Sequence, residues 1–222
     1  EPRGSIQLYE NYVREYPQPW DFRAEAQYKL VQLNQKIGNA DRVRHWREEL
    51  VRTYEQAGGE ASDRVAFLAA QAAFTLAEPR FAEFNEIKLT LPLDKSLSRK
   101  TTAMKDALAQ YRRVKKIGVS KFTTAANHKI GELYQQLAQD MMDSERPDGL
   151  SDLEKAQYDL LLEEKALPYE DQAIDILISN TDLVTEDIYN KWVKESFEAL
   201  SELLPGRYAK HEQVEDYVDI IY

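Results

Sequence analysis

The sequence contains no cysteine. Disulfides, thiolate zinc sites and thiol nucleophiles are therefore excluded together, although the cellular compartment stays open. Glycine and proline are scarce, at 8 each in 222 residues. That is too few for the turns of a many-stranded sandwich, and alternating β-type patterning is almost absent. No apolar run approaches the roughly 20 residues needed to span a bilayer, so no direct membrane insertion is expected of this segment. The chain opens on Glu1 without a signal peptide, as expected of a processed chain or a piece of a longer protein. Positive charge is also in deficit. The formal net charge of −10 repels phosphate backbones, which argues against nucleic acid as a general partner.

What is present favours helix. The chain is rich in Ala, Leu, Glu, Gln and Lys, all strong helix formers. Charged residues make up 31% and hydrophobic residues 43%, and the charges are mixed in sign as on solvated helix faces. At about 100–200 residues per domain, the length allows one large domain or two small ones.

Helical spacing marks out the elements in order. Ser5–Tyr16 carries Ile6, Tyr9 and Val13 and stops at Pro17-Gln18-Pro19. Trp20–Ile37 places Ala26, Leu30, Leu33 and Ile37 on one face, and Gly38-Asn39 ends it. Ala40–Gln56 carries Val43, Trp46, Leu50 and Tyr54 before Gly58-Gly59. Ser62–Leu76 follows, and Pro79 is expected to open a separate short helix to about Ile87. Leu89–Ser98 contains Pro92 and has no helical period, so it reads as a break or linker. Leu97–Ile117 ends at Gly118. In Val119–Met142, Phe122, Ala126, Ile130, Leu133, Leu137 and Met141 share one face. Ser151 with Glu154 forms a capping box for a helix to about Ala166, and Pro168 starts a new helical piece or kinks the old one. Thr185–Leu204 and Gln213–Tyr222 are the last expected helices.

A repeat runs through these hairpins. Tyr16-Pro17, Ala26, Tyr28, Leu30, Gly38, Val43, Trp46, Leu50 and Tyr54 together resemble a tetratricopeptide (TPR) unit. The variant is that of bacterial periplasmic assembly proteins, in which Tyr-Pro closes one unit and Ala-x-Tyr-x-Leu opens the next. Ile130-Gly131-Glu132-Leu133-Tyr134 is similar to the family's Leu-Gly-x-x-Tyr core, and Leu68-Ala69 occupies the matching place in a third unit. Gly131 costs about 1 kcal/mol against alanine in a helix, which close approach of a neighbouring helix would offset. Val31 stands at a small-residue position, Asn34 replaces the aromatic, and the spacing between units is uneven. From Tyr111 to Tyr208 the chain also resembles the C-terminal part of long proteobacterial envelope TPR proteins, some associated with gliding motility. The stretches that carry this are Phe122-Thr-Thr-Ala-Ala126, Pro147-Asp-Gly-Leu150 and Lys191-Trp192-Val193.

The resemblance implies an all-α, right-handed superhelical solenoid of antiparallel helix pairs. Residues 1–88 and 99–222 would be its two helical stretches, with 89–98 as the break between them. It implies a scaffold that binds a partner peptide or helix on its concave face, catalyses nothing and needs no cofactor or metal. The expected setting is the periplasm or a cell-envelope assembly. Transferred groove positions are Glu25, Tyr28, Gln32, Gln35 and Lys36 in the first unit. Later units add His128, Glu132, Gln135 and Gln136, with Asp63 and Phe74 extending the set. Alternatives are a cytosolic adaptor or a helical ligand-binding or enzymatic domain. The carboxylate clamp of chaperone adaptors needs Lys and Arg where Glu and Gln stand here, which argues against that type.

Other chemistry is thin. His45 with Glu48 and Glu49 reads as a solvated turn. The acidic residues from Asp140 to Glu154 do not fit a calcium loop. Glu163-Glu164 and Glu170-Asp171 point apart on a helix, unlike the facing carboxylates of a glycosidase. Arg112, Arg113, Lys115, Lys116 and Lys121 form a basic cluster near one helix end, suited to the helix dipole or to an acidic partner.

Overall fold

A computed structural model describes residues 2–209; the expected helix Gln213–Tyr222 and His211 lie outside them. The described residues hold no strand. They form nine α-helices: α1 (Pro2–Glu15), α2 (Trp20–Lys36), α3 (Ala40–Ala57), α4 (Asp63–Glu86), α5 (Leu93–Ile117), α6 (Ser120–Met142), α7 (Asp152–Thr181), α8 (Lys191–Leu203) and α9 (Pro205–Tyr208). Each packs on the next in sequence. Alternate helices also meet, and extensive contacts of this kind are confined to the even set: α2 with α4, α4 with α6, and α6 with α8. The even helices therefore form one row, with the odd helices packed between and behind them.

The row is close because small residues build it. α4 buries Ala69, Ala70, Ala72, Ala73 and Ala77, so its backbone can approach neighbours on several sides. Leu30, Leu50, Leu68, Leu133 and Leu137 lie in the continuous core between the layers. Gly131 on α6 works in the same way. A Cβ there would sit 2.8 Å from both Cγ and Cδ2 of Leu177 on α7, so this is the close helix approach that a glycine in mid-helix implies.

Local signals set most boundaries. Asn39 and Ser62 cap α3 and α4 by accepting from Arg42 N and Val65 N. Ser151 and Glu154 form the expected capping box at α7. Gly118 ends α5 in the left-handed conformation, with φ of 81°. Three expectations are corrected. Pro79 does not open a new helix but lies inside α4; Ala77 and Phe84 on either side are fully buried, and their packing holds the helix across the missing N–H. The helix expected to end near Ala166 runs on as α7 with Pro168 inside it, between buried Ala166 and Ala173, so of the two alternatives for Pro168 a new helix start is excluded. The helix expected from Thr185 begins only at Lys191, because Asn190 caps it through Trp192 N and Val193 N, and Asp182–Glu186 form a 3-10 turn.

The break expected over 89–98 is shorter, since α5 starts at Leu93. It is also pinned. Leu89 is buried, Ser96 Oγ donates to Thr90 O at 2.6 Å and accepts from Thr90 N at 3.1 Å, and Leu91 N donates to Glu145 at 2.9 Å. Lys100 closes the joint. Its buried Nζ donates to Ile87 O at 2.7 Å and Phe84 O at 3.2 Å, at the end of α4, and pairs with Asp140 on α6.

Candidate protein-docking surface

Burial sorts the residues of α2. Ala24, Ala26, Gln27, Leu30, Val31 and Asn34 face inward, although Ile37, expected on this stripe, is exposed. The inward polar groups bond locally: Thr53 Oγ1 donates to Gln27 Oε1 at 2.9 Å, and Asn34 Nδ2 donates to Leu30 O at 2.8 Å, while the buried Gln27 Nε2 has no partner among the described residues. The opposite positions are left to solvent. Tyr28, Gln32 and Gln35 line a cleft of about 150 Å³ between α2, α3 and α4, floored by Val31, Leu50, Leu68 and Ala72. Glu25 is held at 2.5 Å by Arg64 of α4; this hydrogen bond raises the Arg64 pKa, with burial opposing it. The Arg64 guanidinium also lies 5.9 Å from the Tyr28 ring. Lys36 and Asp63 are exposed.

A second, larger cleft of about 590 Å³ opens between α6, α7 and α8. Glu132, Gln135 and Gln136 line it, together with Glu163, Glu170 and Glu202, over a floor that includes Ala138, Met142, Ala166 and Leu203. Among the described residues no basic side chain lines it. Six nominated residues are thus divided between two clefts, one at each end of the even row, while Glu25, Lys36 and Asp63 line neither.

His128 and Phe74 are placed differently. His128 is only 8% exposed, and its ring lies 5.7 Å from that of Trp192 on α8. It belongs to a buried polar network that joins α6, α7 and α8. Ser196 Oγ donates to Trp192 O at 2.8 Å and accepts from Asn180 Nδ2 at 2.9 Å. Its remaining contact, with His128 Nδ1 at 3.1 Å, must then be accepted, which fixes the ring proton on Nδ1. Asn180 also donates to Thr124 O at 3.1 Å and accepts from Asn127 at 3.3 Å. His128 Nε2 faces Glu195 at 3.7 Å and Glu132 at 3.9 Å. Burial lowers the His128 pKa; Glu132 and Glu195 oppose this, while Lys129 and Lys191 add to it. Phe74 packs between Tyr111, Trp192 and Phe122, with ring centroids at 5.8, 5.9 and 6.2 Å. It ties α4 to α8 and is partly buried.

The sequence reading missed this network. Its signal was polar Asn127 and His128 beside the apolar stripe of α6, and Asn180 and Ser196 in otherwise amphipathic helices. Among the described residues no group of three or more His, Asp or Glu side chains is placed to hold a metal ion, and no helix is long and apolar enough to cross a membrane. The chain shows no significant match to a family model, a curated protein or a solved structure. Chemically, the two clefts offer amides that bond a peptide backbone in either sense, apolar floors, and at the α6–α8 end a ring of carboxylates.

Proposed function

We propose that this chain is a TPR-like solenoid that serves as a protein-interaction scaffold, binding a partner peptide or helix along the even-helix face. The observation that carries the reading is the unbroken row α2–α4–α6–α8. In a stacked-hairpin superhelix one helix of each pair lines the inner surface and touches its counterpart in the next pair. The clefts at the two ends of that row contain Tyr28, Gln32 and Gln35, and Glu132, Gln135 and Gln136. A bound segment would lay apolar side chains on the floors and hydrogen-bond the glutamine rims. The carboxylates Glu132, Glu163, Glu170 and Glu202 favour a partner that bears Lys or Arg near the α6–α8 cleft. On this reading the scaffold itself catalyses nothing, and the resemblance to envelope TPR proteins supports a cell-envelope assembly as its setting.

The test is site-specific photo-crosslinking from Gln35 and Gln136 in the cell of origin, with Lys165, exposed on α7, as the control. The expected result is one protein crosslinked from both row positions and not from Lys165. Its capture should be lost in a Tyr28→Ala/Gln32→Ala double variant whose melting temperature is unchanged. Equal crosslinking from Lys165, or capture unaffected by the double variant, would refute the assignment of the face.

A further inference from the structure

A third cleft adjoins the α2–α4 docking cleft, with which it shares Arg47 and Thr75. It has a volume of about 550 Å³ and opens between α3, α4 and α5. Arg44, Arg47 and Arg52 reach it from α3, Arg80 from α4 and Arg113 from α5. Glu48 is the one carboxylate in its lining, and Leu76 and Pro79 give it an apolar wall. Five guanidiniums converge on one cavity in a chain of net charge −10. Four of them are steadied by carboxylates that do not line the cavity. Arg44 bonds Asp41 at 3.1 Å, Arg80 bonds Glu83 at 2.8 Å, Arg113 bonds Glu55 at 2.7 Å, and Arg52 bonds Glu49. These pairs are exposed, and such pairs hold a guanidinium only weakly. Each arginine keeps further N–H donors for a second oxyanion. Arg47 forms no ion pair with any described residue. It is half-buried, and burial holds its pKa below the usual arginine value, with Glu78 opposing.

From this convergence we infer that the α3–α4–α5 cleft is a binding site for a compact multivalent oxyanion of the phosphate type, free or carried on a lipid headgroup. The volume falls in the range of small-ligand sites, about 300–1,000 Å³. The planar donor fork of arginine matches a phosphate in bidentate fashion, as an ammonium cannot. Arg47 is the anchor: it makes no ion pair with any described residue, Glu78 acting on it only electrostatically, so its donors are open to a bound anion. Arg113 and Arg80 close on the anion from the other two helices.

Calorimetric titration of the purified chain with inorganic pyrophosphate tests the site. One saturable site is expected, weakening as salt rises. An Arg47→Gln/Arg113→Gln variant should bind at least about tenfold more weakly, as expected for losing charged hydrogen bonds, with an unchanged melting temperature. Glu48→Gln removes the one lining carboxylate and should tighten binding, a gain that misfolding cannot imitate. Flotation with phosphatidylglycerol vesicles, against phosphatidylcholine alone, separates the sources. Vesicle binding lost in the double variant assigns a lipid headgroup, and pyrophosphate binding without it assigns a free anion. Absence of saturable binding, equal affinity in both variants and the parent, or tighter binding of an aspartate-rich peptide than of pyrophosphate would each overturn the inference.

Discussion

Replacing Gly131 by alanine puts a methyl group into space that Leu177 already fills. The added Cβ would lie 2.8 Å from Leu177 Cγ and Cδ2, about 0.7–1.2 Å inside ordinary carbon contact. Because Cγ itself is struck, turning the terminal methyls gives no relief; either Leu177 or the α6–α7 spacing must move. Leu177 is fully buried, and inserting a methyl group into such packing costs roughly 1–3 kcal/mol. Helix propensity works the other way by about 1 kcal/mol. At the middle of the overpacking range the balance is a net loss of about 1 kcal/mol.

The sign is what the geometry decides, and a double-mutant cycle isolates it. Leu177→Ala alone leaves a cavity and costs about 2–5 kcal/mol. In that background the clash is gone, so Gly131→Ala should stabilise by about 1 kcal/mol. Urea denaturation followed by far-ultraviolet circular dichroism gives the four stabilities, compared at constant m-value. Gly131→Ala stabilising both backgrounds equally would show that α6 and α7 do not meet at this glycine.

Two further substitutions address the joints of the chain. Lys100→Met removes the buried ammonium that binds Phe84 O, Ile87 O and Asp140; it should destabilise by about 3 kcal/mol, the cost of breaking a buried charged contact. A fall in melting temperature no larger than that of Lys95→Met would sink this reading of the α4–α5 joint. His128 supplies a pH dependence. Its folded pKa lies below the ordinary histidine value of 6.5, so the unfolded chain takes up a proton that the folded chain resists. Stability from this group is therefore complete above pH about 6.5 and lost as pH falls toward the lower folded value. His128→Gln should be flatter than the parent between pH about 7 and about 5 in thermal melts, and parallel curves would exclude His128 as the source.

Much of the fold was legible because its signals are local. Gly118 needs only its own positive φ, Ser151 needs only Glu154 three residues on, and the α6 stripe from Phe122 to Met141 declares its buried face by spacing alone. Pro79 and Pro168 misled for the same reason. A local rule predicts a break, but Ala77 with Phe84, and Ala166 with Ala173, are anchored by neighbours distant in sequence. Asn190 and Thr185 are both acceptable caps, and only the interlocking of Asn190 with Thr124, at 3.0 Å, selects between them.

The sites divide along the same line. Tyr28, Gln32 and Gln35 lie on one surface of a single helix, so a repeat motif could nominate them. The arginine cleft draws on three helices spread from Arg44 to Arg113, and the sequence shows only Arg112-Arg113 as part of a basic run. His128 shows the converse. The TPR resemblance implies a groove-facing His128, yet Trp192 and Ser196 on α8, more than sixty residues away, cover it and make the histidine a fastener. An inward repeat position is open to a partner only where no later helix of the same chain has covered it, and α8 does so over His128 while leaving Glu132, Gln135 and Gln136 on the cleft beside it.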